Sequence, residues 1–90
     1  MESMMAHFAK VTNNIVGEVI VIANSDCGGG DFPASEPIGQ AFIADTLGLS
    51  GTWLQTSYSG SFRGCYAGNG YTYDETEDVF VGIPYTPPEY

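Results

Sequence analysis

Short β-branched or alternating apolar runs occupy both ends of this chain, and one block near its middle repeats at helical spacing. Residues 7–12 and Ile15–Ala23 flank Asn13-Asn14, a pair that tolerates positive φ and suits a two-residue hairpin turn. The second arm, Ile-Val-Gly-Glu-Val-Ile-Val-Ile-Ala, carries β-branched residues on both faces, which predicts a central strand covered on both sides. Residues 24–33 contain Asp26, Gly28-Gly29-Gly30 and Asp31 and read as a flexible loop. A helix over about residues 36–47 follows, with Ser35 as its cap, Glu36 and Pro37 in its first turn and Gly48 at its end. Ile38, Phe42 and Leu47, with Ala41 and Ile43 beside them, form its apolar stripe, and Gly39 weakens it. Alternation of Trp53, Gln55 and Ser57 against Thr52, Leu54, Thr56 and Tyr58 predicts a strand, with Trp53 in the core. Tyr71-Thr72-Tyr73 and Val79-Phe80-Val81 predict a last hairpin around an acidic turn. Pro84, Pro87 and Pro88 exclude helix and interior strand beyond residue 83.

The expected fold class is therefore α+β: a small antiparallel sheet, in chain order β-β-α-β-β-β, with one packed amphipathic helix. The 90 residues make a single domain. Residues 1–6 are expected to be an N-terminal arm, 7–82 the β-rich core and 83–90 an extended arm rich in proline and tyrosine. A chain this short is near the lower limit at which one apolar core outweighs conformational entropy, so contacts with partners are expected to add to its order.

Charge narrows the partners. Eleven Asp and Glu against two basic residues, Lys10 and Arg63, give a formal charge of −9. Such a chain repels phosphate backbones and anionic lipid headgroups, so neither nucleic acid nor membrane is an expected partner. The longest uninterrupted apolar stretch, residues 19–23, is too short to span a bilayer, and the first residues lack the pattern of a secretory signal.

Candidate chemistry is sparse. Cys27 and Cys65 match no zinc-ligand spacing and are expected to be free thiols. A cysteine nucleophile would need His7, the only histidine, as its base, and no orienting or oxyanion signature accompanies that pair. Cys27-Gly28-Gly29-Gly30-Asp31 lacks the Lys-Ser/Thr and the directly following helix of a phosphate-binding loop. Asp74-Glu75-Thr76-Glu77-Asp78 could gather carboxylates on calcium. It lacks the glycine and distal glutamate of a calcium loop, and a hairpin tip in which Asp74 bonds its own backbone is the simpler reading. Trp53, Tyr58, Tyr66, Tyr71 and Tyr73 could present a platform for sugar or protein, although about half of them are needed for the core. No cofactor or metal is expected.

The run Gly51-Thr-Trp-Leu-Gln-Thr-Ser-Tyr-Ser-Gly-Ser-Phe-Arg63, then Tyr66-Ala-Gly-Asn-Gly-Tyr-Thr-Tyr-Asp74, then Asp78-Val-Phe80 and a proline-rich end resembles a family of small virion proteins. These are encoded by tailed phages of cyanobacteria and other aquatic bacteria. The opening Met5-Ala-His-Phe-Ala-Lys10 and the Asn13-Asn14 turn share the likeness, which runs from residue 5 to 85. The chain departs from the pattern at Gly64 and Cys65, where similar sequences carry lysine and asparagine.

The resemblance implies a non-enzymatic virion structural protein, assembled in the host cytoplasm. Its strong negative charge suits the outer head surface, as a capsid decoration or cement protein. The expected partners are the major capsid protein or other virion proteins, together with other copies of the chain. Partner contacts are expected at Met4, Phe8, Tyr85, Pro87, Pro88 and Tyr90, along with unpaired strand edges. A tail- or fibre-associated structural or adaptor protein is the alternative. An enzyme using Cys27 or Cys65 with His7 is a third reading.

Overall fold

The computed structural model describes residues 5–82. Five strands form one antiparallel sheet: β1 (Met5–Thr12), β2 (Ile15–Ala23), β3 (Thr52–Thr56), β4 (Thr72–Asp74) and β5 (Val79–Val81). A short 3-10 turn (Asn24–Cys27) and a helix, α1 (Ser35–Asp45), lie between β2 and β3. The spatial order of strands is β3-β1-β2-β4-β5. The fold is thus α+β with the strand and helix order read from the sequence, and the loop after β2 has a turn of 3-10 helix in place of the flexible segment expected.

Asn13 and Asn14 take φ of 52° and 64°, the two positive values that a twisted two-residue hairpin turn requires. The turn fixes Thr12 opposite Ile15, and pairing then runs to Met5 opposite Ala23, with a register shift at Lys10/Val11. β1 starts at Met5, so Met5 and the buried Ala6 belong to the sheet and not to an arm.

The strand covered on both faces is β1 and not β2. Side chains alternate across a strand, and in β1 one face packs Ala6 and Phe8 with Ile22, Cys27, Ile43 and Trp53. The other packs Ala9 and Val11 with Val16, Ala67 and Phe80. Only Val16 and Ile22 of β2 are buried. The uniform β-branched content of β2 reflects strand propensity, which exposed strands share.

Helix α1 covers the Phe8 face through its smallest side chains. Its buried line is Ser35, Gly39 and Ile43, spaced four apart, whereas Ile38, placed in the stripe from the sequence, is 47% exposed and Ala41 and Leu47 are exposed too. The reason is Gly39. A Cβ there would lie 2.3 Å from Phe8 Cζ and 3.0 Å from Cys27 Sγ, so the helix backbone rests directly on the ring. Ser35 is not the cap either: Ala34 holds that position, and the Ser35 hydroxyl donates to Gln55 Oε1 on β3 at 2.7 Å. Gly48, at φ 69°, follows the end of the helix as expected.

The opposite face is covered by the segment between β3 and β4 and by the β4–β5 hairpin. Thr56 Oγ1 accepts from the Ala67 amide at 2.9 Å and fastens that segment to the sheet. The hairpin joins β2 only at its start, where Thr72 pairs with Ile15, the Val16 amide donates to Tyr71 O and the Gly70 amide donates to Val16 O, both at 2.8 Å.

Candidate functional site

Arg63 binds two flanks of the sheet at once. Its side chain is only 8% exposed. Nη1 and Nη2 fork onto the two carboxylate oxygens of Glu36 in the first turn of α1. Nη1 also donates to Gln55 O on β3 at 2.9 Å, and Nε donates to Asp78 Oδ1 at 2.8 Å. The guanidinium carbon lies 5.0 Å from the Phe32 ring centre. Its backbone carbonyl, meanwhile, accepts from the Phe80 amide on β5 at 2.8 Å. A planar fork of five donors suits this crossing of helix, strand and hairpin, and lysine could not reproduce it.

The consequence is that neither β3 nor β5 presents a bare edge. On β3, Trp53 O accepts from Gln40 Nε2 at 2.6 Å, the Gln55 amide donates to Glu36 Oε2 at 2.8 Å, and Gln55 O accepts from Arg63. On β5, the Phe80 amide is taken by Arg63 O and Phe80 O accepts from Cys65 Sγ at 3.2 Å. Gly64 lets the chain pass: its φ is 83°, and a Cβ would meet Phe80 O at 3.2 Å. Any larger side chain at this point would be strained.

β2 is different. Beyond Val16, no described strand pairs with it on the side away from β1. In an antiparallel pair alternate residues direct N–H and C=O away from the partner. Residues 17–23 therefore carry a row of outward backbone groups, beside which Val21 stands 47% exposed.

Within the Arg63 cluster one guanidinium serves two carboxylates. Burial by itself would lower the Arg63 pKa, but the hydrogen bonds and charges of Glu36 and Asp78 outweigh it and the net shift is upward. The Asp78 carboxyl is held below its ordinary value by the Tyr73 hydroxyl and by Arg63. Tyr73 is pushed up to about 12 by desolvation and by the adjacent Asp78. The acidic turn thus spends Asp78 on the fold, while Asp74 Oδ1 accepts from the Thr76 and Glu77 amides at 3.0 and 3.2 Å, as the hairpin-tip reading expects. Among the described residues no three His, Cys, Asp or Glu side chains gather where they could hold a metal.

A cleft of about 510 Å³ opens where the end of β3 meets the loop after β2. Along it, Ser57, Ser59 and Ser61 join their hydroxyls in a ring, with separations of 3.2, 2.8 and 3.3 Å. Tyr58 is 73% exposed and stacks on His7 at 5.5 Å between ring centres, with Tyr66 edge-on to both. Phe32 and Phe62 form a second stacked pair at 4.0 Å. Of the aromatic residues singled out from the sequence, Trp53 is in the core on the Phe8 face, and Tyr71 and Tyr73 pack against the core of the opposite face. Only Tyr58 and Tyr66 remain as a surface pair.

The expected partner contact at Phe8 is corrected by the structure: its ring is 0% exposed, under Gly39, and cannot reach a partner. Met4, Tyr85, Pro87, Pro88 and Tyr90 lie outside the described residues. Both cysteines are free thiols. Cys27 lies in the core on the Phe8 face, where burial and Asp26 push its pKa up, while His7 projects from the opposite face of β1. The Cys65 thiol donates to Phe80 O. His7 hydrogen-bonds neither, and burial lowers its pKa.

Sequence reasoning missed the Glu36–Arg63–Asp78 cluster and the cleft. A lone arginine in a chain of net charge −9 was the available signal, since so isolated a cation has many carboxylates to choose from.

Among the described residues these features define a small α+β domain with two closed sheet flanks, one open strand edge and a hydroxyl-lined cleft. No family model, no curated protein and no solved structure matches the chain.

Proposed function

We propose that this chain is a non-enzymatic adhesive component of a phage virion, a decoration or cement protein on the outer head surface. The observation that carries the adhesive reading is the open edge of β2. A strand that no other described strand pairs beyond Val16, with the exposed Val21 beside it, accepts another strand readily, with main-chain hydrogen bonds supplying affinity and alternate side chains supplying fit. The placement on a virion rests on the sequence resemblance over residues 5–85. The net charge of −9 supports an outward position, away from packaged nucleic acid. Met4, Tyr85, Pro87, Pro88 and Tyr90, outside the described residues, are the further contacts proposed with the major capsid protein or with another copy of the chain. Bridging neighbouring capsid subunits in this way would raise the free energy of opening the shell.

Quantitative mass spectrometry of purified particles, scaled to the major capsid protein, tests the placement. A copy number comparable to that of the capsid subunit, or a simple fraction of it, supports the head. A few copies per hundred capsid subunits transfers the chain to the tail or fibre. Absence from the particle discards the virion reading.

A further inference from the structure

The cleft beside β3 supports a second role that is independent of the virion reading. Its most telling group is Gln55, whose residue is nine-tenths buried. Ser35 donates to its Oε1 at 2.7 Å and so fixes the amide plane. No described group accepts from its Nε2, yet no buried side-chain nitrogen or oxygen lacks a partner. The amide hydrogens therefore reach accessible space, and Gln55 lines the cleft. This is an oriented donor that the described fold leaves available to solvent or to a ligand.

The neighbouring hydroxyls specify what that partner offers in return. The three serine hydroxyls of the ring bond mainly to one another, and Ser57 Oγ also accepts from the Ser61 amide at 3.0 Å. Each hydroxyl has one proton and two lone pairs, so a ring closed in this way spends its protons internally, fills Ser57 Oγ and retains accepting capacity on Ser59 and Ser61. Asp31 on the same cleft adds a carboxylate, which only accepts. A suitable ligand thus donates several hydrogen bonds and accepts at least one. With a net charge of −9 and a carboxylate in the lining, it is not an anion.

Two aromatic pairs flank these groups. Tyr58 has one face on His7 and is otherwise largely open, and Phe32–Phe62 lies along the same cleft. A flat C–H-bearing face fits against such a ring. The His7, Tyr58 and Tyr66 rings touch one another at 5.3 to 5.5 Å, which leaves no cage between them for a quaternary ammonium group. The volume of about 510 Å³ falls within the range of small-ligand sites.

We infer that this cleft is a binding site for a neutral saccharide, stacked on Tyr58, accepting from Gln55 Nε2 and donating hydroxyl protons to the Ser57–Ser59–Ser61 ring. Neutral sugars combine hydroxyls that donate and accept with apolar ring faces, which is the complement found here. The site would attach the domain to glycan, whether or not it is carried on a particle.

The test is titration of the full-length chain, labelled with nitrogen-15, with maltotriose, cellotriose and tri-N-acetylchitotriose up to about 10 mM, the range in which a small contact area is expected to bind. At least one of the three should move the amide signals of residues 29–31 and 55–61 and the Gln55 side-chain amide. Tyr58→Ala, at an exposed position, should keep the native spectrum and weaken that binding at least tenfold, and Tyr58→Trp should retain it. Absence of shifts with all three saccharides, shifts outside the cleft, or unchanged affinity in Tyr58→Ala would each overturn the inference. So would a response to tetramethylammonium in place of the saccharides.

Discussion

β3 and β2 flank the same central strand and meet opposite fates. β3 is the outermost strand on its side, yet its outward Trp53 O, Gln55 N–H and Gln55 O are taken by Gln40, Glu36 and Arg63. β2 has a neighbour, β4, but loses it after Val16, and no other described strand takes up its longer part. Edge strands are usually guarded by charges or coverage, because a bare edge recruits other strands. Among the described residues the guard is assembled on β3 and β5 and omitted from β2. An edge left open when the same small fold closes two others is suited to pairing, and that contrast underlies the adhesive reading.

The largest expected effect comes from removing the guard. Arg63→Ala leaves Glu36 and the backbone of Gln55 without their partner and should cost about 3–5 kcal/mol in urea unfolding, because a nearly buried pair is broken on one side. Arg63→Lys should recover only part of this, since lysine cannot fork onto Glu36. If Arg63→Ala unfolds at the same urea concentration as the native chain, the β3 flank is not held as described.

Next comes the rest of α1 on the sheet. Gly39→Ala replaces glycine in a helix interior, which alone would add about 1 kcal/mol of stability. The predicted outcome is the opposite, a loss of about 1–3 kcal/mol from overpacking against Phe8. A gain in the same unfolding measurement would mean that α1 does not press on Phe8 through Gly39.

Titration gives a smaller effect that sharpens the account of the Arg63 cluster. Asp78 has a lowered folded pKa, so its contribution is present above its unfolded value, near pH 4, and fades as pH falls through the lower folded value. Tyr73 has a raised folded pKa of about 12, so its contribution is complete below pH 10 or so and is lost as pH rises toward 12. Ultraviolet titration should show a late-ionising step from Tyr73, which Tyr73→Phe should remove. A Tyr73→Phe curve with the late step intact would assign it to another residue.

Val21→Lys should change stability least, within about 0.5 kcal/mol, because the side chain is half exposed and the backbone is unaltered. Its effect should fall on attachment to particles, which a charge beside the open edge opposes. Unimpaired attachment would remove β2 from the adhesive mechanism.

Much of the fold was legible because local chemistry dictated it. Asn13-Asn14 supplied two positive φ values, and alternation around Trp53 and Val79-Phe80-Val81 gave the strands directly. Where reading went astray, a non-local contact decided. Gly39 looks like a weak point in a helix and is the point of closest approach to Phe8. Ser35 looks like a cap and serves Gln55, twenty positions away. Phe8 alternates like a surface-capable strand residue, and only the docking of α1 buries it. The cleft was the least legible feature, since Gln55, the serine ring and the loop around Asp31 come together only through the packing of the segment after β3.

Amide hydrogen exchange of the isolated chain, resolved by residue, tests the contrast between the two strands most directly. The account predicts that the Gln55 amide exchanges only with global unfolding, while alternate amides between residues 17 and 23 exchange rapidly until a partner strand is added. Equal, slow exchange along β2 and β3 in the unpartnered chain would contradict it.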